Sequence, residues 1–220
     1  GNAPPVLSDF DHLRVHWYEK WQSYGVKIVQ GEYCVSDQEI VITTVLGSCI
    51  SACIYDPYTG FGGVNHFMLP RFKESLNNDY PMRYGFFSME ELINALLKKG
   101  CKKEHLLVKI AGGGKILNNL ASVGRLNIEF IEKYLEDESL SIESRDLGGE
   151  QARKLVFFPS TGRLLISRIP KLDATGIVET EQGRFSFAVL HPLPPVLLVN
   201  SPLSDTLDNW KIIVINERQG

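Results

Sequence analysis

Four short β-prone segments follow one another between Val26 and Leu69, and each meets a turn signal before it is long enough to be a helix. Val26–Val35 alternates, Glu39–Val45 is rich in β-branched residues, Cys49–Tyr55 runs into Asp56-Pro57-Tyr58-Thr59-Gly60, and Gly63–Leu69 ends on Pro70. Strands this short, joined by turns this tight, pair with their neighbours, so the spacing predicts an antiparallel sheet. The period then changes. Tyr84–Lys99 spaces Phe87, Leu92, Ala95 and Leu96 as a helix stopped by Gly100, Leu106–Ala111 is a short apolar strand, and Gly124–Glu136 is a second helix. Leu140–Arg145, Lys154–Phe158 and Arg163–Arg168 return to strand patterns, separated by Gly148-Gly149 and Ser160-Thr161-Gly162. Helices grouped between runs of strands define an α+β fold, with the helices packed on the outside of mostly antiparallel or mixed sheets.

The two ends differ from this body. Residues 9–24 place Phe10, Leu13, Trp17 and Trp21 at helix-like intervals behind Ser8 and Asp9, which predicts an N-terminal helical extension over residues 1–25. Beyond residue 170, Asp173–Gly183 is polar, Pro192, Pro194 and Pro195 are incompatible with a central strand, and Trp210–Ile215 reads as a last strand. Residues 170–220 are therefore expected to be an accessory extension.

Composition excludes classes more than it selects one. The 220 residues, 44% hydrophobic and 22% charged, describe an ordinary globular chain with a sizeable core. Twenty-three basic against 26 acidic side chains, with no long block of one sign, offer no footprint for nucleic acid. No apolar run approaches a bilayer's thickness, and Asp9, Asp11, His12, Arg14 and Glu19 stand where a signal peptide would be apolar, so a cytoplasmic location without membrane insertion is expected. Cys34, Cys49, Cys53 and Cys101 are too scattered for a disulfide framework, and the five histidines never fall at paired zinc-ligand spacing with them. Gly112-Gly113-Gly114-Lys115 lacks the spacing and the hydroxyl of a phosphate loop, and Gly148-Gly149 suits a turn or a close backbone approach better than a ligand.

Chemistry is concentrated at Cys49 and His66. A thiol between Leu46 and Ile50 can simply be a small core side chain. Three features point the other way. Gly47-Ser48 permits a bend that lifts the thiol out of the sheet and exposes N–H groups to a developing oxyanion. His66 lies on a neighbouring predicted strand, where an imidazole can serve as the base of a thiol nucleophile. Thr43 supplies a hydroxyl that could orient the ring through its second nitrogen. These features leave nucleophile and core packing both open.

The order of short blocks strongly resembles the bacterial chemotaxis protein family CheD. The blocks are Gly31-Glu32-Tyr33, Leu46-Gly47-Ser48-Cys49, Gly62-Gly63, His66-Phe67-Met68-Leu69-Pro70, Arg83-Tyr84-Gly85, Met89-Glu90, Gly112-Gly113-Gly114, Gly124-Arg125-Leu126-Asn127, Asp146-Leu147-Gly148-Gly149 and Thr161-Gly162. The resemblance covers residues 26–169, which it marks as the deamidase domain. It implies an α/β sandwich related to cytotoxic necrotizing factor toxins and a chemoreceptor glutamine deamidase with a Cys-His-Thr triad. It assigns nucleophile and base to Cys49 and His66, and its threonine, six residues before the nucleophile, to Thr43 rather than the adjacent Thr44. Thr43 and Thr44 face opposite sides of a regular strand, so only one can address His66.

The implied reaction is hydrolysis of a receptor glutamine carboxamide to glutamate through a cysteine thioester, without metal or organic cofactor. Expected partners are the cytoplasmic helices of chemoreceptors and a CheC-type phosphatase. A second reading makes the chain mainly a regulatory binding module for that phosphatase or for receptor docking. A papain-like protease fits less well, because the cysteine and histidine sit on strands only seventeen residues apart.

Overall fold

The computed structural model describes residues 3–5, 7–70, 79–116, 121–169 and 210–213. Among the described residues, eleven strands form two sheets: β1 (Val15–Tyr18), β2 (Ser23–Lys27), β3 (Tyr33–Ser36), β4 (Val41–Leu46), β5 (Ile50–Tyr55), β6 (Gly62–Asn65), β7 (Leu107–Gly112), β8 (Ser141–Leu147), β9 (Arg153–Phe158), β10 (Arg163–Arg168) and β11 (Trp210–Ile213). Two α-helices, α1 (Asp79–Lys98) and α2 (Ala121–Asp137), complete an α+β architecture. The six-stranded sheet runs β1-β2-β4-β9-β10-β11 and the five-stranded sheet β3-β6-β5-β7-β8. All pairs are antiparallel except β2–β4 and β7–β8, and the second of these is joined through α2 as a βαβ crossover.

The helices pack on the five-stranded sheet. In α1, Met89, Leu92, Ile93 and Leu96 recur at helical spacing and are all buried. The helix ends where Gly100 turns left-handed at φ 93°, with Gly100 N–H donating to Leu97 and Cys101 N–H to Leu96, a closure that satisfies the last carbonyls. In α2 the buried stripe is Val123, Asn127, Phe130, Ile131, Tyr134 and Leu135. One continuous core joins the two sheets, with Ile42, Leu46, Leu155, Phe157, Leu164 and Ile166 from the first and Cys53, Tyr55 and Val64 from the second. Where the sheets meet, the β7 side chain Lys109 donates to the Gly162 carbonyl in the β9–β10 turn at 2.7 Å. A Cβ on Gly162 would lie 2.5 Å from the Tyr55 ring, so only glycine lets the turn close over β5.

Two expectations are corrected. The predicted N-terminal helix is a hairpin: β1 and β2 pair Val15 with Val26 and Trp17 with Tyr24 across a 3-10 turn at Glu19–Trp21. Spacings of three and four suited a helix, but the aromatic and β-branched content of this segment suits a pleated surface, and tertiary pairing with β4 prevailed. The boundary expected at residue 25 accordingly falls inside β2. Second, the four consecutive segments do not share one sheet, and Val26–Val35 is not one strand. Val29–Glu32 is a turn, closed by Glu32 N–H to the Val29 carbonyl and by Val29 N–H to the Glu32 carboxylate, with Gly31 at φ 89°. It sends β2 to one sheet and β3 to the other. Most of the C-terminal extension lies outside the described residues. Its last predicted strand is present as β11, paired antiparallel with β10 through Leu164↔Ile213 to Ser167↔Trp210.

Candidate active site

The segment Gly47–Cys49 links β4 of one sheet to β5 of the other, so the Cys49 thiol arises at the seam between them. Just past it, Ile50 and Phe67 exchange both backbone hydrogen bonds at 2.9 Å. Cys49 precedes Ile50 and His66 precedes Phe67, so this bridge sets the two residues on adjoining segments at the seam. Cys49 is 6% exposed and His66 7%, which makes this a recessed pair rather than a surface thiol. Cys53, four residues on, is fully buried core, and all four cysteines are free.

His66 is fixed at both ends. Its backbone N–H donates to the Glu32 carbonyl and its carbonyl accepts from Gly31 N–H at 2.8 Å, so the Val29–Glu32 turn clamps it. Its ring Nδ1 lies 2.7 Å from Thr44 Oγ1. The Thr44 hydroxyl also lies 2.8 Å from the Ile28 carbonyl, which can only accept. A hydroxyl has one proton, and with that proton on Ile28 the Nδ1 must donate to Thr44. The consequent tautomer leaves Nε2 with its lone pair, the form a general base needs.

The residue at His66 is therefore Thr44, and the expected Thr43 is corrected. Ile42, Thr44 and Leu46 point to the core between the sheets, whereas Val41 joins a separate buried cluster with Val156 and Leu165 on the outer face. Thr43 shares that outer side by alternation, and its hydroxyl donates to the Leu155 carbonyl at 2.7 Å.

Burial dominates the electrostatics. It pushes the Cys49 thiol up to about 12, opposed by the residue's own backbone N–H, and pulls His66 down to about 4. Thiol and imidazole are thus both neutral at rest, so a thiol attack here would need its proton to move as the sulfur reacts. Gln30, which sequence reasoning passed over, stands at the tip of the Val29–Glu32 turn with Oε1 3.8 Å from Cys49 Sγ. The signal for it was Gly31, whose turn delivers the preceding side chain to the seam.

The glycine loop after β7 holds the Gly47–Cys49 segment. Gly113 N–H donates to the Cys49 carbonyl at 2.8 Å and Gly114 N–H to the Gly47 carbonyl at 2.9 Å. A Cβ on Gly112 would sit 2.0 Å from the Cys49 carbonyl oxygen, and its φ of 116° is left-handed. The Gly148-Gly149 turn backs this loop, Gly148 N–H donating to Gly112 and Lys115 N–H to Gly149. Among the described residues no cluster of three or more His, Cys, Asp or Glu is placed to hold a metal. None of the described helices is long and apolar enough to cross a membrane.

A recessed thiol, an imidazole whose Nε2 keeps its lone pair and a hydroxyl that holds its Nδ1 are the groups that acyl transfer on a carboxamide or ester calls for. A family model described as CheD chemotactic sensory transduction matches residues 68–168. The chain is 40% identical over 184 residues to the probable chemoreceptor glutamine deamidase CheD of Hahella chejuensis, covering 81% of this chain and 87% of that one. A match spanning 81% of 220 residues leaves too little outside it to miss positions 49 and 66. The like-named proteins of Methylobacillus flagellatus, 44% identical over 72% of this chain and 81% of theirs, and of Caulobacter vibrioides, 46% identical over 68% and 80%, resemble it as closely. Among solved structures, the Bacillus licheniformis hypothetical protein YfiH is similar over 53% of this chain and 51% of that one, with 11% identity and a TM-score of 0.37. With relatives at 40% identity and above matched over more than two thirds of their length and of its own, this chain belongs to the CheD family.

Proposed function

We propose that the protein deamidates glutamine side chains of chemoreceptors to glutamate, with Cys49 as nucleophile, His66 as base and Thr44 as the residue that orients His66. The substrate class follows the names of the relatives, and the observation that carries the residue roles is the Ile28–Thr44–His66 relay, which leaves Nε2 free to accept. In the first step Nε2 takes the thiol proton while sulfur attacks the carboxamide carbon. The tetrahedral intermediate then expels nitrogen, which leaves as ammonia with the proton returned by His66. A water molecule, deprotonated by His66 Nε2, then attacks the thioester; the leaving thiolate takes that proton back and the carboxylic acid ionises to carboxylate. Each turnover replaces a neutral carboxamide on a receptor helix by a negative charge.

The same reading makes residues 26–169 the catalytic unit, with β1 and β11 as the two edge strands of the six-stranded sheet. It also places the protein in the cytoplasm, where receptor signalling helices lie, and makes a CheC-type phosphatase a competitor for the cleft around Cys49. The test is incubation with receptor cytoplasmic fragments, following the gain of about one mass unit per glutamine. Conversion by the wild type and none by Cys49→Ala or His66→Ala is expected. Equal conversion by Cys49→Ala would sink the assignment, and tight phosphatase binding without any conversion would favour the regulatory module.

A further inference from the structure

Asn127 is a polar residue in the buried stripe of α2, fully enclosed and remote in sequence from both Cys49 and His66. Its side chain makes two hydrogen bonds, Nδ2 to the Ser48 carbonyl at 2.8 Å and Oδ1 from Leu69 N–H at 3.0 Å. The partners fix the amide's orientation, because a carbonyl can only accept and a backbone N–H can only donate. One side chain thus ties the peptide before the nucleophile to the segment three residues past the base.

The Ser48 carbonyl matters because of what lies across the same peptide unit. A trans peptide is planar, with its C=O and the next N–H pointing in opposite directions. Holding the Ser48 carbonyl on α2 turns the Cys49 N–H away from α2. The neighbouring peptides are held likewise, the Gly47 carbonyl by Gly114 N–H and the Cys49 carbonyl by Gly113 N–H. Ile50 N–H is spent on the Phe67 carbonyl. Among the described residues, Ser48 and Cys49 N–H meet no backbone acceptor in another residue, although the loop around them is fully tied. A Ser48 N–H without a backbone acceptor and a Cys49 N–H that faces only its own sulfur leave donors at the thiol for a developing oxyanion.

We propose that Asn127 is the positioning residue of the oxyanion site: by holding the Ser48 carbonyl it aims the Cys49 N–H at the oxygen of the tetrahedral intermediate. This rests on the deamidase reading above. Asn127 touches no reacting atom. Its contribution is to prepay the orientation of a donor whose value appears only as charge develops on oxygen. Asn127→Asp keeps the acceptor for Leu69 N–H but sets a carboxylate against the Ser48 carbonyl, and Asn127→Ala removes both bonds.

The test compares two reactions of one thiol. Deamidation builds an oxyanion, whereas alkylation of Cys49 by iodoacetamide, a displacement at saturated carbon, does not. With folding checked by thermal melting, both variants are expected to lose roughly 10²-fold in kcat for receptor-fragment deamidation, as loss of one oxyanion donor costs, with KM changed less than about threefold. Their alkylation rates should stay within about threefold of wild type. Unchanged deamidation overturns the proposal, and so does a parallel fall in alkylation, which would mean that Asn127 merely holds the thiol or the fold. A wild type alkylated normally at Cys49 that converts no receptor glutamine sinks the deamidase reading, and this proposal with it. Should the variants not fold, a glutamine-aldehyde adduct of the wild type decides the matter. Its hemithioacetal oxygen should lie about 3 Å from Cys49 N, and an oxygen facing elsewhere refutes the assignment.

Discussion

At the scale of single residues, the choice between Thr43 and Thr44 is the sharpest consequence of the structure. Thr44→Ala removes the hydroxyl that receives Nδ1–H, so the imidazole loses its tautomer and its angle. Deamidation should fall on the order of 10²-fold, with Thr44→Ser restoring most of it, while Thr43→Val should remain within a few-fold of wild type in the same mass assay. Protonation gives a second prediction. Because burial holds His66 down to about 4, the base stays neutral through the range where an exposed histidine titrates, and the acid limb of kcat/KM should lie near that value rather than near 6.5. Stability follows the same shift. The unfolded histidine binds a proton below about 6.5 and the folded one only near 4, so folding loses free energy as pH falls through that window, up to about 3 kcal/mol from this group. Urea midpoints at pH 7 and 5 measure it, and a midpoint that rises on acidification would contradict the burial of a neutral His66. Cys49 and His66 were legible in the sequence because Gly47-Ser48 marks a bend and the two segments read as strands. The threonine was not. Val41-Ile42-Thr43-Thr44-Val45-Leu46 is apolar on both alternations, and β4 is covered on both faces, so its period does not say which hydroxyl faces the seam.

At the scale of elements, the glycine loop after β7 is as much a part of the site as the strand that bears the thiol. Gly112→Ala puts a methyl group against the Cys49 carbonyl and forces a left-handed backbone on alanine. The expected cost is about 3 kcal/mol or more, read from denaturant unfolding, with a displaced thiol read from Cys49 alkylation. A variant of wild-type stability and reactivity would show that the loop only passes nearby. The strand and helix existence from β4 through β10 was readable from period and breakers. The N-terminal hairpin was not, since Trp17 and Trp21 fit a helical stripe as well as a strand until β2 is seen to pair with β4. Asn127 had a legible trace, a lone polar residue at a buried position of the α2 period, but its partners Ser48 and Leu69 are far away in sequence.

For the whole molecule, the two sheets are locked beside the active-site loops by a buried ion cluster. Arg153 of β9 donates to the backbone and carboxylate of Asp146 in β8 and to the Gly148 carbonyl, and Arg168 of β10 reaches the same carboxylate at 2.8 Å. The Asp146 and Arg153 side chains are almost wholly buried, so Asp146→Ala strands a guanidinium without its counter-ion. A loss of about 3–5 kcal/mol in chemical unfolding is expected, whereas a change below about 1 kcal/mol would mean that the charges are solvated. The cluster joins one sheet to the other next to Gly148-Gly149, which backs the loop that holds Cys49.

By itself, the sequence determined the α+β order of elements and the family, and singled out Cys49 and His66 as the candidate nucleophile and base, because period, turn residues and short ordered blocks are local properties of a chain. Only the tertiary structure decided that Thr44 rather than Thr43 meets His66, that residues 15–27 pair as a hairpin, and that Gln30, Asn127 and the glycine loop converge on Cys49. Those outcomes depend on which face of a doubly covered strand turns inward and on which distant backbone groups find each other. Both are settled by the packing of one sheet on another, which no local pattern encodes.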